Sequence, residues 1–146
     1  KLETKLREKE GVPAGSPIFD PLFAASFGFD VARALMKVHL AGVVHKDLKP
    51  DNVIVELESG GSRRIRAVKL IDFGLATQTG VQHDQAKGTA WYVAPEVLQG
   101  RPVSPSTEVY SLGCMLFEMV TGHPPYDGSI QEIINQHGSA EPPPTM

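Results

Sequence analysis

Apolar residues recur at helical spacing through Val31, Leu35 and Val38, after Asp30 as a good N-cap and before Gly42 as a stop. Two β-prone runs follow, Val53-Ile54-Val55 and Ala67-Val68-Lys69-Leu70-Ile71, on either side of the turn-rich Ser59-Gly60-Gly61-Ser62. That arrangement predicts an antiparallel hairpin with a long loop. Antiparallel pairing sets the start of one strand beside the end of the other, so Asn52 and Asp72 are expected at one end of the hairpin. Residues 75–107 show little periodicity and many turn formers, which predicts an extended segment lying over the rest. Ser104-Pro105 then supplies the N-cap and first residue of a helix running to about Val120. Its apolar residues, from Val109 and Leu112 to Met119 and Val120, are spread around the circumference, so it is expected to be central and buried. Thr121-Gly122 ends it, and Pro124-Pro125 stiffens the turn beyond. Ser129 and Glu132 form a capping box for a last short helix ending at Gly138.

The flanks read differently. Residues 1–28 are charged and then Gly/Pro-rich, with no motif, and residues 139–146 form a Pro-rich tail that favours extended backbone. A chain of 146 residues is one domain's worth, able to bury about 70% of its unfolded surface. Its 41% hydrophobic content is globular, and a formal charge of −3 gives no general attraction to nucleic acid or anionic membrane. One cysteine, Cys114, excludes an internal disulfide and any multi-cysteine zinc site. No run approaches the roughly 18 apolar residues of a membrane span. An intracellular, cytoplasmic protein is expected.

Chemistry concentrates in His45-Lys46-Asp47-Leu48-Lys49-Pro50-Asp51-Asn52 and in Asp72-Phe73-Gly74. Moving a phosphoryl group takes a carboxylate to orient a hydroxyl, a cation near the transferred oxygens and hard oxygen ligands for Mg²⁺. Asp47, Lys49, Asn52 and Asp72 are residues of those types.

Residues 29–138 resemble the C-terminal lobe of a eukaryotic-type Ser/Thr protein kinase. The resemblance rests on four motifs in order: His45-Lys46-Asp47 with Asn52, Asp72-Phe73-Gly74, Ala94-Pro95-Glu96, and Tyr110-Ser111-Leu112-Gly113. It implies an α+β fold, a mainly helical lobe with a short β-hairpin carrying the catalytic and metal-binding loops. It implies transfer of the ATP γ-phosphate to protein Ser/Thr hydroxyls, with ATP and Mg²⁺ as cofactors. Asp47 would be the catalytic carboxylate, Lys49 would face the phosphoryl oxygens, and Asn52 and Asp72 would hold Mg²⁺. Thr89, in Gly88-Thr89-Ala90-Trp91-Tyr92, would help organise Asp47 and Lys49. Asp-x-Lys-x-x-Asn is similar to the Ser/Thr-specific pattern, and the Ala-Pro-Glu closure argues for a protein substrate.

Departures from the family pattern qualify these expectations. No glycine-rich strand-turn-strand precedes Asp30, so the ATP-covering lobe is expected from a missing segment or a partner, and the chain alone is expected to be very weak or inactive. The family's last helices are also expected to be missing, leaving apolar helix faces uncovered. Lys46 stands where many members have arginine, keeping charge but losing the bidentate fork. With no Ser or Thr between Val81 and Lys87, control by loop phosphorylation is expected to be weak. Glu108 replaces an aspartate that usually binds the catalytic loop's backbone, and Tyr110 replaces a tryptophan. Glu96 normally pairs with a later arginine.

The alternative is a catalytically inactive, pseudokinase-like binding module that presents Trp91 to Pro95 and the Ile130 to Ile134 helix. Elsewhere plain readings suffice. Arg63-Arg64-Ile65-Arg66 reads as a solvated hairpin tip, Cys114 as a small core residue, and His45 as a packed histidine beside the Phe73 turn. His39, His83, His123 and His137 have no metal-ligand spacing.

Overall fold

The computed structural model describes residues 19–59, 64–79 and 90–139. Its first helix, α1 (Pro21–Leu40), begins well before Asp30. Asp20 is the true N-cap, its carboxylate accepting the Leu22 N–H at 2.8 Å, and Pro21 fills the first helical position. Asp30 is therefore a mid-helix residue, paired at 3.4 Å with Arg33 one turn on. The expected start lay too far along the chain: Ala24 and Phe27 continue the Val31, Leu35 spacing back to Asp20, through Gly28, whose helix propensity is low. That glycine has a packing reason: a Cβ there would lie 3.0 Å from Leu116 Cδ1, so α1 and the helix bearing Leu116 approach closely. The stop at Gly42 holds, with φ of 74°.

Strand β1 (Val43–Val44) leads to a loop ending in the 3-10 turn Pro50–Asn52, and then to β2 (Val53–Leu57). β2 pairs antiparallel with β3 (Ile65–Leu70), from Val53 opposite Leu70 to Glu56 opposite Ala67, and slips at Glu56/Leu57. The hairpin is thus as expected, its strands slightly longer. Arg66 at 3.0 Å and Lys69 both pair with Glu56 on its exposed face, in keeping with a solvated tip. These bonds, Lys69 foremost, hold the Glu56 carboxyl below its ordinary range.

Past β3, where residues are described, the expected extended segment is broken by short elements. A 3-10 turn at Phe73–Leu75 is followed by β4 (Thr77–Gln78), which pairs antiparallel with β1. A further 3-10 turn, Ala90–Tyr92, precedes α2 (Pro95–Leu98), a single turn opened by Pro95. Two-residue strands and one-turn helices are too short to print a period.

Helix α3 (Pro105–Thr121) has Ser104 as N-cap in a reciprocal box with Thr107, and Gly122 as its left-handed C-cap at φ 81°. It is less uniformly buried than its apolar residues imply: Leu112, Cys114 and Met115 are buried, while Val109 is 64% exposed. Helix α4 (Ile130–Gly138) carries the expected Ser129–Glu132 capping box. The core joins Phe27, Val31 and Leu35 of α1 to Leu48, Leu112 and Met115, with the inner faces of β2 and β3 against it. Helix α1 lies against both α3 and β3. The loop before β2 is thereby fixed on a packed base. Among the described residues no helix is long and apolar enough to cross a membrane.

Candidate active site

The loop from His45 to Asn52 emerges from β1 and closes on the hairpin, so both of its ends are anchored in regular structure. Within it, Lys49 Nζ lies 2.6 Å from Asp47 Oδ2. The Asn52 side-chain amide donates to that same oxygen at 3.0 Å and to the Asp47 carbonyl at 2.8 Å. Asn52 is buried, while the Asp47 and Lys49 side chains keep 10% and 20% of their surface exposed. Two of the residues expected at one site, Lys49 and Asn52, therefore converge on the carboxylate of the third, Asp47, which they orient without sealing it from solvent.

The hairpin supplies the second part. The Ile71 N–H donates to the Asn52 carbonyl at 3.0 Å, continuing the ladder and bringing the start of β2 beside the Asp72 turn. Asp72 has left-handed backbone (φ 60°), and its exposed carboxylate accepts the Gly74 N–H at 3.3 Å. A non-glycine residue held there stores strain of about 1 kcal/mol or more, a cost that tends to persist where the position has a use.

His45 joins the two parts. It is fully buried, its Nε2–H donates to the Ile71 carbonyl at 2.8 Å, and its Nδ1 accepts the Asp47 N–H at 3.3 Å. With Nδ1 facing a donor, Nε2 is the ring nitrogen that carries the hydrogen to Ile71. Its ring packs against that of Phe73, centroids 4.6 Å apart and tilted by 56°, the packing role expected of it.

Lys46 also has left-handed backbone (φ 71°), and burial pulls its ammonium pKa down from the ordinary lysine value. The strained segment is held by Glu108 of α3, whose Oε1 accepts the His45 N–H at 2.6 Å and the Lys46 N–H at 3.0 Å. The extra methylene of glutamate thus still reaches the loop. Its other oxygen meets His39 Nε2 at the end of α1. No sequence pattern marks that contact, because 69 residues separate the partners.

Glu96 accepts from the Thr107 hydroxyl at 2.7 Å, which ties α2 to the start of α3. Thr89 lies outside the described residues, as do Val81 to Lys87. Among the described residues no group of three or more His, Cys, Asp or Glu could hold a metal ion by itself. An amide and a carboxylate are nevertheless the oxygen donors that Mg²⁺ takes when substrate phosphates complete its shell. The Asn52 amide nitrogen is spent on Asp47, so its carbonyl oxygen is the atom it can offer a cation. Cys114 is buried and its thiol pKa is pushed up to about 12, chiefly by burial, which suits an inert core residue.

Comparison with known proteins agrees with this arrangement. The family model for the protein kinase domain matches residues 15–142. A probable serine/threonine-protein kinase of Corynebacterium efficiens is 38% identical over 86% of this chain and 19% of its own length. Serine/threonine-protein kinase PkaA of Streptomyces coelicolor is 43% identical over 84% of this chain and 23% of its own length. Sperm motility kinase 2B of Mus musculus is 44% identical over 73% of this chain and 23% of its own length. The chain spans about a fifth of the length of these relatives.

Proposed function

Because this chain belongs to the protein kinase domain family, we propose that residues 29–138 are the C-terminal lobe of a Ser/Thr protein kinase that transfers the γ-phosphate of ATP to protein hydroxyls. The observation that carries the reading is the convergence of Lys49 and Asn52 on Asp47 Oδ2. A carboxylate fixed by two donors is placed to orient a hydroxyl and take its proton, with an ammonium beside it where phosphoryl charge develops.

Asn52 Oδ1 and the Asp72 carboxylate would hold Mg²⁺, which when bound neutralises phosphate charge. Asp47 would orient the acceptor Ser or Thr. Lys49 would lie near the transferred oxygens as a point charge. Thr89 would help organise Asp47 and Lys49. Glu108 would keep the loop's main chain in the strained form that sets Asp47's direction. The exposed Trp91 lies on the 3-10 turn Ala90–Tyr92, which packs against α4, the face we assign to the protein substrate. An ATP-covering lobe would come from further chain or from a partner.

The test is transfer of labelled phosphate from Mg²⁺-ATP to a generic protein substrate by the natural protein carrying this chain, followed by phosphoamino-acid analysis. Phosphoserine and phosphothreonine are expected, and Asp47→Asn should lower the rate by about 10² or more. Phosphotyrosine alone, or transfer indifferent to Asp47→Asn, would overturn the reading.

A further inference from the structure

Glu108 is 1% exposed, and a carboxylate so far out of water needs a partner for each oxygen. Oε1 is occupied by two main-chain N–H groups of the His45–Asn52 loop. Oε2 meets His39 Nε2, the side-chain hydrogen-bond partner found for that oxygen among the described residues. The two ends of one carboxylate therefore serve two different elements. If Oε2 lost its donor, the carboxylate would turn to recover a bond and would leave one or both loop amides unpaired.

The cost would fall where the backbone is least tolerant. Lys46 sits at φ 71°, a conformation that an L-residue holds only when its surroundings enforce it. The next residue is Asp47, whose own N–H bonds His45 Nδ1. The direction of the Asp47 carboxylate thus depends on a main-chain segment clamped by Glu108, whose rotation is fixed from behind by a histidine at the opposite end of α1 from its N-cap.

We propose that His39 is a positioning residue for the site: its Nε2–H locks the Glu108 carboxylate so that both the His45 and Lys46 amides stay bound and Asp47 stays aimed. The claim concerns geometry first, and only its kinetic consequence rests on the kinase reading.

The experiment is amide hydrogen exchange by NMR on the 146-residue chain. In His39→Ala the His45 and Lys46 amides should exchange about tenfold faster or more, while the Ile133 amide of α4 changes by less than about twofold. His39→Gln carries an N–H donor at similar reach and should restore protection. Unchanged exchange at His45 and Lys46 in His39→Ala would overturn the proposal, as would a uniform rise across the chain. Failure of His39→Gln to restore protection would also overturn it, assigning the effect to ring packing. Should His39→Ala not fold, the unsubstituted chain still decides: a slowly exchanging, hydrogen-bonded His39 Nε2 proton is expected, and an unprotonated Nε2 contradicts the lock. In the transfer assay His39→Ala should lower kcat about tenfold with the KM for ATP within about twofold. A natural protein without transfer activity would sink the functional reading and leave the exchange result standing.

Discussion

Asn52 does two jobs with one side chain. Its amide nitrogen holds Asp47 through both the main-chain carbonyl and the carboxylate, and it is itself buried. Asn52→Ala should therefore free Asp47 to follow Lys49 alone, lowering phosphate transfer about 10²-fold, with a loss of about 1–3 kcal/mol in unfolding free energy from the donors and acceptors left unpaired. Kinetics beside a urea titration would separate the two effects; full activity in the variant would contradict the role given to Asn52. Residues of this kind were legible beforehand, because Asp47, Lys49 and Asn52 lie within one short loop whose spacing is itself the signal. Glu108 was legible as a substitution and not as a geometry: the sequence raised the question of reach, and the hydrogen bonds to His45 and Lys46 answer it. His39 was not legible at all, since its partner is distant along the chain and a lone histidine has no pattern.

At the scale of elements, the ends of helices were the readable parts where local chemistry closed on itself. Ser104 and Ser129 cap α3 and α4 as their sequences imply, and Ser129→Ala should cost about 1 kcal/mol in a denaturant titration. Helix α1 shows the opposite case, where Asp20-Pro21 outranks Asp30 because packing of Gly28 against Leu116 carries the helix through a weak stretch. Helix α4 also brings a titratable group into the interior. His137 is buried, its Nδ1 lies 2.7 Å from the Tyr110 hydroxyl, and the Tyr126 ring is 4.8 Å away. Burial lowers its pKa below the ordinary histidine value and raises that of Tyr110. A histidine with a depressed folded pKa binds fewer protons folded than unfolded, so its effect on stability is absent above about pH 6.5 and destabilising as pH falls below it. Stability should therefore decline from about pH 7 toward pH 5, and His137→Gln should flatten that part of the curve. Parallel curves for the two proteins would mean that His137 does not carry the dependence.

For the whole molecule, the arrangement that matters is a base of α1, α3 and the β2–β3 hairpin from which two short loops are presented side by side. Hairpin and central helix could be foreseen, because strand runs around a turn and a capped apolar helix are local patterns. The β1–β4 pairing and the single-turn α2 could not, because each is too short for periodicity and is stabilised by contacts across the fold. The same holds for the candidate site: the grouping of Asp47, Lys49 and Asn52 could be foreseen from their spacing, while the clamp from α3 and α1 depends on tertiary contact. The end of the hairpin where β2 starts and β3 finishes is proposed to form one phosphate and divalent-cation site with Asp47. Paramagnetic broadening by Mn²⁺-ATP, followed by NMR on the 146-residue chain, tests it most directly and detects weak binding. Selective broadening of the Asp47, Asn52 and Gly74 amides, abolished by Asp72→Ala, is expected. Broadening confined to other residues, or unaffected by Asp72→Ala in a folded chain, would contradict it.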